Sequence, residues 1–348
     1  MPNSNSLPDP LIFPDGRRIA SSADWPARRS ELLGQLVDLA YGPLPPRPEA
    51  VSVVPLHTHT ALKDDKARAT AFRLTATPPG FSFLLLLVTP PGDGPFPVVI
   101  NGDGCWLRTL SQEILSSVIQ RGYAAAIFNR VEIAADNAET YRKTGLPALL
   151  LDRCPPALAA WTWGFHRVVD ALLQLPVIDP KGIAATGHSR GGKTALLAGA
   201  TDERIALTAP NNSGCGGAGC FRVPDEGAET LSRIVTVFPH WFSGRLNAFA
   251  GREQDLPFDL HSLKACVAPR LLLSTEARGD TWASPHGTRL TFEAAREVYR
   301  FLGAEDRIGI CFRDGGHAHL PEDWEKLLDF ADHHFAGKPP ARDFDMRP

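Results

Sequence analysis

The sequence has no long apolar run, since none of its hydrophobic stretches reaches the roughly 20 residues that a membrane-spanning helix needs. Its six cysteines show no C-x-x-C spacing, which argues against a zinc site and against a dense disulfide framework. A single bridge, for example Cys215 with Cys220, stays open. The N-terminus has neither a basic patch nor an apolar core, as a signal peptide would. We therefore expect a cytoplasmic protein, or an exported one whose signal has been removed.

The chain also has no excess of charge of one sign. Its 36 Lys and Arg residues oppose 39 Asp and Glu residues, and this balance argues against nucleic acid or an anionic membrane as a partner. Hydrophobic residues make up 43% of the 348-residue chain, which is enough for a large buried core. The 31 prolines and 30 glycines indicate many loops, where active-site residues are often found. The composition leaves the oligomeric state open.

Strand and helix patterns alternate through most of the chain. Alternating and apolar runs over residues 51–90 indicate antiparallel strands. Short apolar runs typical of buried parallel strands follow at 96–101, 123–128, 182–186, 205–208, 270–274 and 308–312. Helical patterns lie between several of them, including residues 157–175 and 292–302. This alternation predicts a mostly parallel central sheet with helices on both faces, a three-layer sandwich.

The segment Gly187–Lys193, G-H-S-R-G-G-K, is the strongest chemical signal. It places a serine between a predicted strand and a predicted helix, as in the nucleophile elbow of an α/β-hydrolase. Backbone N–H groups and the helix dipole favour developing negative charge there. We therefore predict Ser189 as the nucleophile, with the backbone N–H of Arg190 in the oxyanion hole and the loop Asn101–Cys105 as a second contributor. An ordinary Ser/Gly turn is the alternative interpretation.

We predict a proline-rich lead segment over residues 1–50 and one α/β-hydrolase catalytic domain over residues 51–340.

The elbow also sets the expected positions of the other catalytic groups. In this fold the acid and then the base follow the nucleophile, each on a loop after a strand. Asp280 follows one late strand and His317 the next. His317 would accept the proton of Ser189, and Asp280 would hold the imidazole in the productive tautomer.

Two alternatives to this triad remain open. Glu276 follows the same strand as Asp280 and is the second choice for the acid. His319 competes with His317 for the role of base. The spacing His-Ala-His also suggests metal ligands, but no carboxylate or cysteine cluster completes such a site. We therefore expect neither a metal nor an organic cofactor.

Motifs spread along the chain resemble those of one enzyme family. The segment Gly187–Ala195 resembles the elbow of the glucuronoyl esterases of carbohydrate esterase family 15, whose pattern is G-[CH]-S-R-x-G-K-x-A. Further segments similar to motifs of that family are Trp161–Arg167 with Asp170, Asp202–Leu207, Phe238–Phe242, Leu256–His261 and Pro321–Trp324. A chain of motifs covering roughly residues 30–335 is far more selective than the elbow alone. The resemblance implies a serine carboxylic-ester hydrolase acting on small-molecule or oligosaccharide esters of 4-O-methyl-glucuronic acid.

The resemblance also implies roles for residues around the elbow. In the family, the arginine after the nucleophile helps to stabilise the oxyanion, and the elbow lysine contacts sugar hydroxyls. Those roles would fall on Arg190 and Lys193. The helix dipole disfavours a positive charge near a helix N-terminus, so two cations at this position point to a function there. By the same resemblance, Trp282 would line the sugar site and Glu229 would bind the sugar.

One departure from the family pattern concerns the catalytic acid. Many members supply it as a glutamate in P-x-E-S-G, but here the segment reads P-N-N-S-G and Asn212 stands at that position. A neutral amide cannot stabilise an imidazolium, so the acid must come from the later strand. The alternative functions are an esterase for acetyl or aryl esters of smaller substrates, and a non-catalytic carbohydrate-binding protein with the hydrolase fold.

Overall fold

The computed structural model describes residues 7–62, 65–105 and 111–348. The first six residues of the predicted lead segment lie outside this description. The strands are β1 (Ala50–Ala61), β2 (Ala67–Thr77), β3 (Phe81–Thr89), β4 (Phe96–Asn101), β5 (Ala124–Phe128), β6 (Ile178–His188), β7 (Leu207–Asn211), β8 (Leu271–Ala277) and β9 (Ile308–Arg313). The α-helices are α1 (Trp25–Leu36), α2 (Gln112–Gln120), α3 (Arg130–Ile133), α4 (Gly145–Leu149), α5 (Ala157–Leu172), α6 (Arg190–Thr201), α7 (Leu231–Val237), α8 (Leu260–Ala265), α9 (Pro285–Phe301) and α10 (Pro321–Phe335).

All of these strands belong to one mixed sheet, in the order β1-β2-β3-β5-β4-β6-β7-β8-β9. The pairs β1–β2, β2–β3 and β3–β5 are antiparallel. From β5 through β4, β6, β7 and β8 to β9, every neighbouring pair is parallel. The carboxyl ends of these parallel strands meet at one edge of the sheet, where an α/β fold normally places its ligand site.

Helices cover both faces of the sheet, as predicted. Alternate residues of a strand point to opposite faces, and β8 shows the division clearly. Leu272 joins a core cluster with side chains of α1, α5, α6, α8 and α9. Its neighbour Leu273 joins a second cluster with side chains of α2 and α10. The prediction of an α/β-hydrolase sandwich is confirmed, with an antiparallel extension formed by β1, β2 and β3.

The segment before β1 contacts the rest of the chain through buried side chains. Trp25 of α1 donates from Nε1 to the carbonyl oxygen of Ala268, at 3.3 Å. The hydroxyl of Tyr41 donates to the carbonyl oxygen of Gly216, at 3.0 Å. Both aromatic rings are almost fully buried. The division into a lead segment over 1–50 and a catalytic domain over 51–340 stays a prediction.

All six cysteines fall within the described residues, and all six are free thiols. The disulfide between Cys215 and Cys220 that the sequence left open is therefore not formed in this structure. Burial raises the pKa of both thiols, that of Cys220 to about 12, so neither is a reactive thiolate at neutral pH. Across the described ranges, no helix has the length and apolar character to cross a membrane.

Candidate active site

Ser189 lies in a strained turn between the end of β6 and the start of α6. Its φ of 55° and ψ of −120° are unusual for a residue with a side chain, and such strain is typical of functional sites. The turn is also tightly packed, since a Cβ on Gly187 would lie 2.5 Å from the backbone of Gly191. The Ser189 N–H donates to the carbonyl oxygen of Asn211 on β7, at 2.9 Å. The sequence therefore builds the predicted nucleophile elbow.

A buried carboxylate supports the elbow from behind. Asp103, in the loop after β4, accepts a hydrogen bond from the backbone N–H of His188, at 2.7 Å from Oδ2. Its other oxygen pairs with Arg130. Gly191 leaves the space for this carboxylate, since a Cβ there would collide with it. The predicted second part of the oxyanion hole, Asn101–Cys105, thus contacts the elbow through a side chain, and its backbone role stays a prediction.

His317 and Asp280 form a hydrogen-bonded pair. His317 Nδ1 lies 2.6 Å from Asp280 Oδ2. The second oxygen of Asp280 accepts from the backbone N–H of Ala283 at 3.3 Å, which fixes the buried carboxylate from its other side. His317 itself is partly exposed. A carboxylate at Nδ1 selects the tautomer that carries its proton there, and this leaves Nε2 as the acceptor for a serine proton.

Glu276, the alternative acid, has a different environment. Its side chain is buried on β8, and neither carboxylate oxygen has a hydrogen-bond partner among the described residues. Burial raises the pKa of Glu276 well above its usual range, although the charge of Lys264 opposes this shift. Asp280, rather than Glu276, therefore holds His317 in this structure.

His319, the alternative base, is a buried ring for which the described part of the chain provides no carboxylate partner. Its ring stacks on Trp324, with 5.1 Å between the ring centroids. Burial lowers the pKa of His319 well below its usual range, so it stays neutral. Within the described ranges, no three His, Cys, Asp or Glu side chains come together in a group that could hold a metal ion. The two histidines of H-A-H thus have separate environments, one facing Asp280 and one in the core.

His188, to which no sequence motif gave a role, packs against the predicted base. Its ring centroid is 4.5 Å from that of His317. Its Nδ1 contacts Asn211 Oδ1 at 2.7 Å, while the amide nitrogen of Asn211 donates to Thr275 Oγ1 at 2.9 Å. Asn211 Oδ1 therefore accepts a hydrogen bond from the Nδ1–H of His188. Burial lowers the pKa of His188 to about 4, and the neighbouring His317 acts in the same direction. A neutral ring thus supports the imidazole of the predicted base.

Asn212 connects the loops that carry the acid and the base. Its Oδ1 accepts from the backbone N–H of Ala277 at 2.7 Å, and its Nδ2 donates to the carbonyl oxygen of Ala318 at 2.9 Å. Its φ of 42° lies in the left-handed region that asparagine tolerates better than most residues. The amide found in place of the family's glutamate is thus a structural link, and the carboxylate at the histidine comes from Asp280.

Three of the predicted substrate residues contact one another beside the elbow. Lys193 Nζ donates to the carbonyl oxygen of Ser213 at 2.7 Å and lies 3.5 Å from Glu229 Oε2. Both charged side chains are buried. The backbone N–H of Glu229 donates to the carbonyl oxygen of Trp282 at 3.1 Å. Trp282 is 39% exposed and follows Asp280 closely in the chain. The structure thus brings these predicted residues together around the catalytic loop.

The side chain of Arg190 extends toward a loop that no sequence motif singled out. Its Nη1 donates to Asp136 Oδ2 at 2.7 Å. Its guanidinium lies over the rings of Trp241 and Phe238, at 4.7 and 5.2 Å from their centroids. The aromatic residues belong to the F-P-H-W-F motif, but a single aspartate in the loop after α3 gives no signal in the sequence.

Comparisons with known proteins agree with this geometry. The family model described as "Glucuronyl esterase, fungi" matches residues 75–303. The chain is 35% identical over 327 residues to 4-O-methyl-glucuronoyl methylesterase 1 of Wolfiporia cocos, an alignment that covers 91% of this chain and 77% of that protein.

Solved structures give the same result. A carbohydrate esterase family 15 glucuronoyl esterase from Caldicellulosiruptor kristjansonii matches with a TM-score of 0.85 and 32% identity, over 98% of this chain and 93% of that one. A glucuronoyl esterase from Sporotrichum thermophile, in complex with methyl 4-O-methyl-β-D-glucopyranuronate, matches with a TM-score of 0.82 and 28% identity, over 100% of this chain and 93% of that one. The chain therefore belongs to the glucuronoyl esterase family, carbohydrate esterase family 15.

Proposed function

We propose that this protein is a serine esterase that hydrolyses carboxylic esters of 4-O-methyl-glucuronic acid. The observation that carries the proposal is the hydrogen-bonded pair of Asp280 and His317, whose imidazole packs on His188, the residue before the serine of the strained strand-to-helix turn. A charged lysine and a glutamate beside the elbow add groups that suit a sugar. The curated relative named above is a 4-O-methyl-glucuronoyl methylesterase, and one solved relative holds a methyl ester of that uronate.

In the first half of the reaction, Ser189 Oγ attacks the carbonyl carbon of the ester while His317 Nε2 takes the hydroxyl proton. Asp280 keeps the imidazole oriented and stabilises its positive charge. The carbonyl oxygen becomes an oxyanion, which the backbone N–H and the guanidinium of Arg190 stabilise. The intermediate then collapses, His317 returns the proton to the departing alcohol, and an acyl-enzyme remains.

In the second half, water replaces the alcohol. His317 accepts a proton from the water as its oxygen attacks the acyl carbonyl, and a second oxyanion forms at the same position. Collapse breaks the bond to Ser189 Oγ, which recovers its proton from His317. The products are the free uronic acid and the unchanged enzyme.

Lys193, Glu229 and Trp282 would bind the sugar. An ammonium has three N–H donors, and among the described residues Lys193 Nζ contacts the Ser213 carbonyl oxygen and the Glu229 carboxylate, so its third donor would serve a sugar hydroxyl. The Glu229 carboxylate would accept from a second hydroxyl. The exposed ring of Trp282 offers an apolar face on which a sugar can stack.

A substrate panel tests the proposal. The methyl and benzyl esters of glucuronic acid are compared with 4-nitrophenyl acetate and an acetylated xylose. We expect a higher kcat/KM for the uronate esters, because only they use the groups that bind the sugar. A preference for the acetates would instead favour the smaller-substrate esterase.

A fluorophosphonate probe separates both enzymes from a non-catalytic sugar-binding protein. The probe reacts only with an activated serine, so it should label the wild type and leave the Ser189→Ala variant unlabelled. Failure to label the folded wild type would contradict the proposed chemistry.

A further inference from the structure

Asp136, which belongs to none of the sequence motifs, contacts the side chain of Arg190. It lies in the loop between α3 and the 3₁₀ turn Tyr141–Lys143. Its Oδ2 accepts from Arg190 Nη1 at 2.7 Å. Its Oδ1 accepts from Trp241 Nε1 at 2.8 Å and lies 3.2 Å from His240 Nε2. One carboxylate therefore connects the elbow arginine to the F-P-H-W-F segment.

The environment of Asp136 keeps its charge. Burial alone would raise its pKa, but hydrogen bonds from His240, Arg190 and Trp241, together with the charge of Arg190, outweigh burial and hold the pKa well below its usual range. The side chain is 14% exposed, so water competes weakly for these contacts. The carboxylate is thus a fixed anion at neutral pH.

A pair of stacked rings supports the guanidinium from one face. Phe238 and Trp241 lie parallel, with 3.8 Å between their centroids and 4° between their planes. The Arg190 guanidinium lies over both rings, at a distance suited to a cation–π contact. The rings limit the movement of the guanidinium on one face. The hydrogen bond to Asp136 also fixes the orientation of the guanidinium in its own plane.

We propose that Asp136 is a positioning residue for the esterase reaction, which fixes the Arg190 guanidinium on the Phe238–Trp241 rings for contact with the oxyanion. The inference rests on the proposed function. The hydrogen bond to Asp136 removes part of the rotamer freedom of a long arginine side chain, and an oxyanion donor is useful only when it is oriented before the charge develops. Asp136 touches no reacting atom and acts through Arg190.

Asp136 has two opposing effects on how well Arg190 stabilises the oxyanion, and the activity of a variant shows which effect is larger. Its negative charge reduces the attraction of Arg190 for an oxyanion, whereas its hydrogen bond improves the orientation of Arg190. Asp136→Asn removes the charge and places an amide N–H against a guanidinium N–H, or loses the bond from Trp241 if the amide flips. If orientation dominates, the variant loses activity although the site becomes more positive.

The test is a double-mutant cycle between Asp136→Asn and Arg190→Ala, measured on benzyl glucuronate. We expect Asp136→Asn to lower kcat by about 10- to 100-fold with KM changed less than about threefold, because an oxyanion contact forms mainly in the transition state. In the Arg190→Ala background the same change should cost less than about twofold. An equal loss of kcat in both backgrounds would overturn the proposal.

Asp170→Asn is the matched control. Asp170 is equally shielded, at 12% exposure, and accepts from Arg167 and Arg204, so it also anchors arginines. It should change kcat less than about twofold in either background, because it lacks a contact with the elbow arginine. A loss equal to that of Asp136→Asn would assign the effect to general loosening and contradict the proposal.

Chemical rescue gives a second readout that needs only folded protein. Guanidinium ion, at concentrations well below those that unfold the protein, should partly restore kcat to Arg190→Ala by occupying the place between Asp136 and the two rings. It should not restore the double variant, and rescue of both to the same extent would contradict the proposal.

If the wild type hydrolyses only aryl acetates, the uronate proposal fails, yet the same double-mutant cycle measured on an acetate still tests the role of Asp136.

Discussion

The side-chain amide of Asn212 donates a hydrogen bond to the carbonyl oxygen of Ala318, at 2.9 Å, and Ala318 directly follows the predicted base His317 in the chain. The carbonyl end of the same amide accepts from the backbone N–H of Ala277, at 2.7 Å, on the strand that leads to Asp280. One buried side chain thus joins the loops of the acid and the base. A carboxylate has no donor to offer Ala318 at neutral pH.

Asn212→Ala should therefore loosen both loops. We expect the free energy of unfolding to fall by about 1–3 kcal/mol, because the buried N–H of Ala277 loses its partner and the carbonyl oxygen of Ala318 keeps only its bond from Arg313. We also expect kcat to fall by about 10- to 100-fold, since a small displacement of the Asp280–His317 pair impairs proton transfer. Urea unfolding and steady-state kinetics measure the two effects. A loss of stability with unchanged kcat would show that the link does not position the pair.

Ser189→Ala and His317→Ala should each remove nearly all turnover, by a factor on the order of 10⁴–10⁶ in kcat. Both residues are at least partly exposed, so we expect the variants to fold, which circular dichroism would check. His319→Phe is the matched control, because it keeps a ring against Trp324 and removes only the imidazole nitrogens. If His319→Phe abolished activity and His317→Ala did not, the two histidines would exchange roles.

Asp280→Asn should lower kcat by about 10²–10⁴, through loss of tautomer control and of imidazolium stabilisation. Glu276→Gln provides the comparison on the same strand. Burial raises the pKa of Glu276 well above its usual range, so it favours the protonated form, which the glutamine resembles in shape and charge. Its kcat should stay within about threefold of the wild type. The opposite ranking of the two variants would assign the catalytic acid to Glu276.

Lys193→Met should raise KM for glucuronate esters while changing KM for 4-nitrophenyl acetate much less, since the acetate has no hydroxyls to bind. The variant also leaves Glu229 buried without its cation, so we expect a stability loss of about 3 kcal/mol. Adding Glu229→Gln to Lys193→Met should recover part of that stability. Equal changes in KM on both substrates would point to a structural role for Lys193.

Buried neutral histidines should make the protein sensitive to acid. His188 and His166 have pKa values lowered by burial to about 4, and burial lowers that of His319 well below 6.5. The unfolded chain binds protons at these histidines below about pH 6.5, whereas His188 and His166 in the folded protein do so only near pH 4. The free energy of unfolding therefore falls as the pH drops through that range. Each histidine contributes a slope of up to about 1.4 kcal/mol per pH unit.

His319→Phe isolates one of these contributions. We expect its free energy of unfolding to depend less steeply on pH between 6.5 and 4 than that of the wild type, as urea titrations at several pH values would show. Identical slopes for the two proteins would mean that His319 takes up its proton in the folded state as well.

The sequence predicted the sheet and the chemistry because both depend on local patterns. Apolar runs gave β4 at its observed bounds, and the spacing of Ser189, Asp280 and His317 followed the chain order of the fold. Strand β7 was predicted at 205–208 but spans Leu207–Asn211, because Asp202 accepts from the backbone N–H of Arg204 and forms a turn there.

Other features depend on residues that meet only in the folded chain. Asp136 is 54 residues from Arg190 in the chain, and no periodicity or motif in the sequence marks it as the hydrogen-bond partner of that arginine. Helix α9 begins at Pro285, earlier than the predicted 292, because a proline suits the first turn of a helix. The choice between Glu276 and Asp280 depended on which carboxylate the folded chain places at His317 Nδ1, a contact that the sequence did not reveal.

The Asp103 carboxylate occupies the space that a side chain at Gly191 would need. The second glycine of G-x-S-x-G in this protein therefore leaves room for the Asp103 side chain as well as allowing its own turn. The elbow sequence consequently depends on the residue at position 103. A chimera that imports an elbow from another hydrolase with a larger residue at this position would need a smaller residue in place of Asp103. The ion pair between Asp103 and Arg130 would then be lost. Among relatives, we expect positions 103, 130 and 191 to change together or not at all.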